Sequence, residues 1–381
     1  MIILHIISGL TNGGAESVLY RLCMHDKAHT HIVVSLMDEG KYGSLLREAG
    51  IEVHCLNMAS GRVTLQGLVK LFRLLRSLKP DAVQTWMYHA DLIGGVMARL
   101  AGIRNINWGI HHTILDPKQS KGTTILAAKL CAKLSGFVPK KIVFCAQKSL
   151  EVHLTLGYAS NKLVVANNGY DLSLFFINSS LGDKVKEEFN LDVNIPLLGL
   201  VGRFDPLKDH HNLVSALSLI KQKGVSFKCL LIGAELNRQN SILNDWLAEN
   251  DLNEEVLLLD QRSDIPAIMN ALDIHVLSSF SEAFPNVLCE AMACGTPCVT
   301  TDVGDTALIV GKTGWVVPPK NPQALADTII SALDERQNNP EKWADRKAQV
   351  RKRVEVNFSI EIMIANYHAI WFGHGKEEGS L

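Results

Sequence analysis

The sequence predicts an α/β protein of two similar units, each a parallel sheet wrapped by crossover helices. Three observations predict it. The chain has 381 residues, too many for one ordinary core and about right for two α/β domains. Short apolar, β-branched runs alternate with longer helical patterns, as strands buried on both faces and joined by helices must. The series also restarts once, after a polar stretch.

The first series comprises Ile2–Ile7, Ile32–Met37, Val53–Met58, Ala82–Trp86, Asn105–Ile110, Ile142–Ala146 and Leu163–Ala166. The polar stretch Asn178 to Asn194 follows. The second series comprises Leu197–Gly202, Cys229–Gly233, Val256–Asp260, Ile274–Ser279, Cys298–Thr301 and Trp315–Pro318. Beyond about residue 323 the pattern is helical, ending in an aromatic-rich helix over Phe358 to Trp371. The expected domains are therefore 1–180, 195–352 and a terminal helix, 353–381, crossing back to the first domain.

Composition narrows the class. A hydrophobic share of 47% with 20% charged residues is ordinary for a soluble globular protein. The chain enters its first apolar run without a basic n-region or cleavage site, so that run reads as a strand and not a signal peptide. The longest membrane-span candidate, Thr123 to Val138, is broken by Lys129 and Lys133. Eight cysteines lie mostly in apolar runs without a Cys-x-x-Cys pair, which favours buried thiols over zinc or disulfides. Net charge is −1 overall, but residues 1–170 carry 19 Lys and Arg against 10 Asp and Glu, and the remainder carries the opposite excess. The first half is thus expected to face something anionic: a membrane surface, a phosphorylated acceptor or nucleic acid. The lack of a basic motif interleaved with aromatics disfavours nucleic acid.

Ligands of open α/β sheets bind at the carboxyl ends of the strands, and the notable polar residues fall there. The segment Ser281-Glu-Ala-Phe-Pro-Asn-Val-Leu-Cys-Glu-Ala-Met-Ala-Cys-Gly-Thr-Pro297 follows a strand. Pro285 suits a first helical turn. The free amides of Asn286, Val287 and Leu288 would make an anion site. Glu282 precedes that helix, and Glu290, inside it, can accept bonds from a diol. The same pattern also fits a capped helix with a solvated Glu at each end. Arg203 and Lys208, in Val201-Gly-Arg-Phe-Asp-Pro-Leu-Lys-Asp209, can neutralise a diphosphate, or can be surface cations beside Asp205 and Asp209. Gly13 and Gly14 let backbone approach a ligand at a helix start, but the Gly-x-Gly-x-x-Gly fingerprint is absent. His111 and His112, in Gly109-Ile-His-His-Thr113, end the fifth strand without metal-ligand spacing, and His89 and Asp91 occupy the same edge after the fourth.

With these motifs in view, the chain resembles glycosyltransferase family 4, the retaining enzymes of the GT-B fold: two facing Rossmann-like domains with an interdomain active-site cleft. The resemblance runs from Gly13-Gly14 through Gly109–Thr113, Asn168-Gly-Tyr-Asp171, Arg203–Lys208 and Glu282–Glu290 to Gly314–Pro318. It is strongest among members that build bacterial surface polysaccharides such as O-antigen and capsule.

The resemblance implies that Arg203 and Lys208 hold the donor diphosphate and Glu290 the ribose hydroxyls. It places Glu282, Phe284 and Asn286 at the transferred sugar and phosphates. It sets His112, with His111 as the alternative, beside the donor sugar, and Gly13 and Gly14 near diphosphate and acceptor. Two departures stand out: Gly233-Ala-Glu235, where the family usually has a second Gly, and Gly304-Asp305, where it often has two. No Asp-x-Asp occurs, so the donor is expected to be neutralised without a metal and no cofactor is expected, with a UDP-sugar favoured over a GDP-sugar.

The expected acceptor is a polyprenyl-diphosphate-linked glycan, met by a cytoplasmic enzyme peripheral at the inner face of an anionic membrane. Two segments bear on that. Arg62 to Lys79 is basic and amphipathic, with Leu65, Leu68, Val69, Phe72, Leu75 and Leu78 on a stripe that packing on the sheet also explains. Pro117 to Lys141 holds six lysines, Lys118 among them, and no acid. An epimerase or phosphorylase on the same fold, or a non-catalytic sugar-binding module, is the alternative.

Overall fold

The computed structural model describes residues 1–59, 61–112 and 121–373. Thr113 and Lys118 lie outside these residues. The chain forms two compact units: residues 1–169 with 360–381, and residues 170–359.

The first unit holds a seven-stranded parallel sheet of β1 (Ile2–Ile7), β2 (Thr30–Ser35), β3 (Glu52–Cys55), β4 (Ala82–Trp86), β5 (Ile106–Ile110), β6 (Lys141–Phe144) and β7 (Leu163–Val165), in the order β3-β2-β1-β4-β5-β6-β7. Register brings Ile7 level with Ser35 on one side and Trp86 on the other. Side chains alternate across β1. Leu4 and Ile6 join Val83, Trp108 and Phe144 on one face. Ile3 and Ile7 join Val18, Leu22, Met363, Tyr367 and Trp371 on the other. The terminal helix Ile360–Phe372 thus completes the second face, beside helix Gly14–His25.

The second unit holds β8 (Leu197–Val201), β9 (Lys228–Ile232), β10 (Val256–Leu258), β11 (Ile274–Leu277), β12 (Cys298–Thr301) and β13 (Trp315–Val317), all parallel, in the order β10-β9-β8-β11-β12-β13. Helices Pro322–Asn338 and Pro340–Asn357 follow the last strand.

All thirteen expected strands are present, with ends shifted by a few residues. The amphipathic stripe needs correction. In helix Leu65–Leu78 the buried line is Gly67, Leu71 and Leu75, spaced one turn apart. Leu65 is 78% exposed and Val69 39%. A side chain at Gly67 would meet the Met58 sulfur, so this turn lies close against Met58 while Leu65 and Val69 face outward. Pro285 also departs slightly from expectation: it is the residue before helix Asn286–Ala293, not part of its first turn.

Candidate active site

Each sheet reverses its strand order once, between β1 and β4 in the first unit and between β8 and β11 in the second. Ligands of open α/β sheets settle outside the strand ends at such a point. In the second unit the loops there carry Arg203, Lys208 and Glu282.

After β8 the chain makes a single 3-10 turn, Pro206–Lys208, before helix His210–Gln222. Asp205 caps the turn by accepting from the Leu207 amide at 2.9 Å. Asp209, left-handed at φ 49°, ends the turn and caps the helix through the Asn212 amide. These caps fix the backbone on both sides of Lys208. Ser278, at the end of β11, donates to the carbonyls of Lys208 and Asp209, so the two switch-point loops are tied together. Arg203 extends outward, with Nε 2.9 Å from Asp205 Oδ2 and a side chain 65% exposed. The Leu207 amide first, then Arg203 and Lys208, hold the Asp205 carboxyl below its ordinary range against the opposing effect of burial.

Lys208 Nζ lies 2.6 Å from Glu282 Oε1, and Ser279 Oγ donates to the same oxygen at 2.7 Å. The ammonium has three donors and spends one on Glu282; the others can turn to a phosphate. Helix Asn286–Ala293 starts four residues later and presents its amino end at the same sheet edge. Asn286 Oδ1 accepts from the Tyr170 hydroxyl at 2.7 Å, which links the Asn168-Gly-Tyr-Asp171 motif to the helix start. Phe284 is buried edge-on against Phe358 at 5.5 Å, so it positions the loop by packing and leaves its backbone for any ligand. Val287 and Glu290 lie in the first turns of the helix, both partly exposed.

The two departures from the family pattern have different physical meanings. Glu235 has φ 66°, the left-handed region where glycine is at ease, so this chain accepts strain there. Asp305 has φ −96° and needs no glycine. Gly304 alone makes the close approach: a side chain on it would lie 2.5 Å from the carbonyl oxygens of Glu282 and Ala283. Gly304 therefore backs the loop that carries Glu282.

In the first unit, Gly13 caps helix Gly14–His25, and a side chain there would meet the Glu16 carboxylate. Glu16 already covers this helix end, and burial raises its pKa. His111 stacks on Trp86 at 5.1 Å, and burial lowers its pKa to about 4, so it is neutral near pH 7. The His112 carbonyl accepts from Ser149 Oγ at 2.6 Å. His89 lies half-buried in the first turn of helix Tyr88–Leu100, its pKa lowered by burial and then by Lys121. Asp91 is fully buried and faces inward. Its Oδ1 accepts from Thr85 Oγ1 at 2.5 Å and the Gly109 amide at 3.2 Å, and burial pushes its pKa well up. Asp91 thus joins β4 to β5 and does not line the edge expected for an acceptor.

Within the second unit the structure gathers Arg203, Lys208, Glu282 and Asn286 onto one sheet edge. The sequence reading missed Ser278 and Ser279. The available signal was two hydroxyls closing the strand just before Glu282.

A two-unit parallel α/β protein with cations, a carboxylate and a helix amino end at one switch point offers groups that suit a phosphorylated cosubstrate, and comparison with known proteins narrows the class to glycosyltransferases. Residues 183–350 match the family model described as glycosyl transferases group 1, and residues 12–174 match that of Glycosyltransferase Family 4. Both halves of the chain thus match glycosyltransferase models, and the protein is a glycosyltransferase. The UDP-Gal:alpha-D-GlcNAc-diphosphoundecaprenol alpha-1,3-galactosyltransferase of Escherichia coli is 24% identical over 276 residues, covering 71% of each chain. The capsular polysaccharide biosynthesis glycosyltransferase CapM of Staphylococcus aureus is 28% identical over 309 residues, covering 78% of each. Among solved structures, Anabaena HepE in complex with UDP superposes with a TM-score of 0.83 at 23% identity, over 96% of this chain and 98% of that one. The fold is GT-B.

Proposed function

We propose that this enzyme moves a sugar from a UDP-sugar to a hydroxyl of a polyprenyl-diphosphate-linked glycan, keeping the donor's anomeric configuration. The observation that carries the reading is the convergence of Arg203, Lys208 and Glu282 at the switch point of the second sheet. Arg203 and Lys208 neutralise the donor diphosphate, and their field grows in value as charge builds on the leaving phosphate. Glu290 takes the ribose hydroxyls and Glu282 the transferred sugar. Cations and helix amides supply the neutralisation, so the reaction proceeds without a metal. A leaving-phosphate oxygen takes the acceptor's proton. Support for the donor comes from HepE, solved with UDP and with UDP-glucose, and for the acceptor from the E. coli relative, whose name gives a diphosphoundecaprenol-linked sugar.

The first unit serves the acceptor at an anionic membrane surface, on the cytoplasmic side. Helices Leu65–Leu78 and Gly122–Leu134 both pack on helix Tyr88–Leu100. They leave Leu65, Val69, Leu126 and Leu130 exposed among Lys70, Arg73, Lys129 and Lys133. Apolar side chains set among cations suit adsorption to anionic lipid. Among the described residues no helix is long and apolar enough to cross a membrane.

The test is an assay with UDP-, GDP- and ADP-sugars and a polyprenyl-diphosphate-linked acceptor, following nucleotide release and product configuration with and without EDTA. Acceptor-dependent UDP release, persisting in EDTA and giving the retained anomer, is expected. Turnover of only a GDP- or ADP-sugar, inversion, or a loss of activity in EDTA that magnesium or manganese restores and zinc does not would each overturn the matching part of the proposal.

A further inference from the structure

His5 is an imidazole in the middle of an apolar strand, fully buried on the face of the first sheet that the terminal helix covers. Its partners define a line of polar groups running to the surface. Trp86 Nε1 donates to His5 Nδ1 at 3.2 Å, and an indole nitrogen can only donate. The His5 proton must then sit on Nε2, 2.9 Å from His31 Nδ1. His31 Nδ1 accepts, so the His31 proton sits on Nε2, 3.1 Å from Asp26 Oδ2. The polarity of the two imidazoles is forced by one tryptophan, and it ends with the His31 Nε2 proton beside the Asp26 carboxylate. Asp26 Oδ1 is held as well, by the Ala28 amide at 3.0 Å.

Two more imidazoles face that carboxylate. His368 Nε2, on the terminal helix, lies 2.8 Å from Asp26 Oδ2. The His29 ring stacks against that of His368 at 4.5 Å, and both of its nitrogens are screened from solvent without a hydrogen-bond partner. One ligand atom from each of Asp26, His29 and His368 falls within 4.8 Å of the others.

We propose that Asp26, His29 and His368 bind a divalent transition-metal ion of the zinc type, which fastens the terminal helix to the first unit. Two imidazoles and one carboxylate are a donor set that zinc accepts, leaving a position for water. Around a tetrahedral ion the ligand atoms stand about 3.3 Å apart, so shifts of about an ångström complete the site. The Ala28 amide holds the carboxylate from outside, and the His31 Nε2 stands 3.1 Å from it with the His5–Trp86 pair behind. His5, Cys23 and His31 form a second candidate group, but the forced tautomers leave the facing nitrogens of His5 and His31 joined to each other. The outer three residues are therefore the site.

Its place marks it as structural. Asp26 ends helix Gly14–His25 and His29 precedes β2, so the site lies at the amino edge of the sheet. Gly13 and Gly14 lie at the carboxyl edge, one twelve-residue helix away, or about 18 Å. The ion holds a helix and does not touch the transfer chemistry, so this inference stands independently of the proposed donor and acceptor.

The experiment is titration of the EDTA-stripped full chain with zinc chloride by calorimetry, with cobalt(II) absorption as a second reading of coordination. Wild type, His29→Gln, His368→Gln and the control His54→Gln are compared, the last being an imidazole paired with Glu52 elsewhere on the first unit. One equivalent of zinc is expected, with a thermal stabilisation that depends on it. Each of the first two substitutions should weaken binding at least about tenfold and abolish that stabilisation, while His54→Gln leaves both unchanged. Failure of wild type to bind zinc, equal binding by wild type and both site variants, or loss of binding in His54→Gln would overturn the proposal.

Discussion

Lys208 and Glu282 meet at 2.6 Å although they come from different strand ends, and both side chains are largely buried, 23% and 12% exposed. The contact joins the two loops of the second switch point through their functional groups. It makes the cation and carboxylate that we assign to the donor's phosphate and sugar one unit that responds together to substitution.

Lys208→Met and Arg203→Ala should each lower turnover by about a hundredfold or more, the usual cost of losing one donor to a charge that develops in the transition state. Stability should separate them. Lys208→Met leaves the Glu282 carboxylate without its cation and should cost about 1–3 kcal/mol. Arg203 is mostly exposed, so its loss should stay within about 0.5 kcal/mol. Steady-state kinetics with denaturant unfolding of both variants checks this, and a hundredfold loss in neither would remove the diphosphate assignment.

The family's glycine positions should respond in opposite senses. Glu235→Gly relieves a left-handed non-glycine residue and should be neutral or stabilising by up to about 1 kcal/mol. Asp305→Gly adds backbone freedom and also removes a buried side chain, so it should cost more than about 0.5–1 kcal/mol. Gly304→Ala drives a side chain into two carbonyl oxygens and should depress both stability and turnover, because the displaced loop carries Glu282. Melting temperatures and kcat for the three variants decide the matter.

Acid stability should carry the signature of Glu335. Arg346 grips its carboxylate with two nitrogens at 2.6 and 3.0 Å, and Lys342 adds a contact at 2.7 Å. Arg346 foremost, then Lys342, bring its pKa down to about 2 against the effect of burial. The folded value lies below the unfolded one, so the contribution is complete above about pH 4.5 and fades as pH falls toward 2. Wild type should exceed Glu335→Gln by an amount on the order of 2 kcal/mol at pH 6, and the gap should close near pH 2. A gap that is constant from pH 6 to pH 2.5 would contradict the ion-pair account.

Adsorption to anionic vesicles should depend on the outward residues of helices Leu65–Leu78 and Gly122–Leu134. Leu65→Asp combined with Leu130→Asp removes exposed apolar area and should reduce sedimentation with phosphatidylglycerol vesicles severalfold, while zwitterionic vesicles bind neither form. Undiminished binding by the double variant would exclude this face.

The strands were legible because a sheet buried on both sides leaves continuous apolar runs, and each run begins a cycle of strand, loop and helix. Arg203, Lys208, Glu282 and Asn286 were legible for the same reason: they follow strand ends, where sheet topology concentrates polar work. Asp91 misled because position at a strand end says nothing of direction, and its carboxylate turns back to join β4 with β5. The outward position of Leu65 and Val69 was hidden, since amphipathic spacing marks an apolar stripe but not that the buried line runs through Gly67, which lies close against Met58. The cluster at Asp26 was invisible for a different reason: Asp26 and His368 are 342 residues apart, and no local spacing announces a partner at that distance.

The return of the last helix to the first sheet has a consequence for how the protein is made. Met363, Tyr367, Ile370 and Trp371 complete the core around Ile3, Ile7, Val18 and Leu22, so the first sheet cannot close until residues 360–372 have cleared the ribosome. The second unit, whose ends meet where Tyr170 pairs with Ser359, has its whole sequence available sooner. The nascent chain should therefore finish folding its second unit before its first, and a stop codon just before residue 360 would damage the first sheet rather than the unit that immediately precedes it.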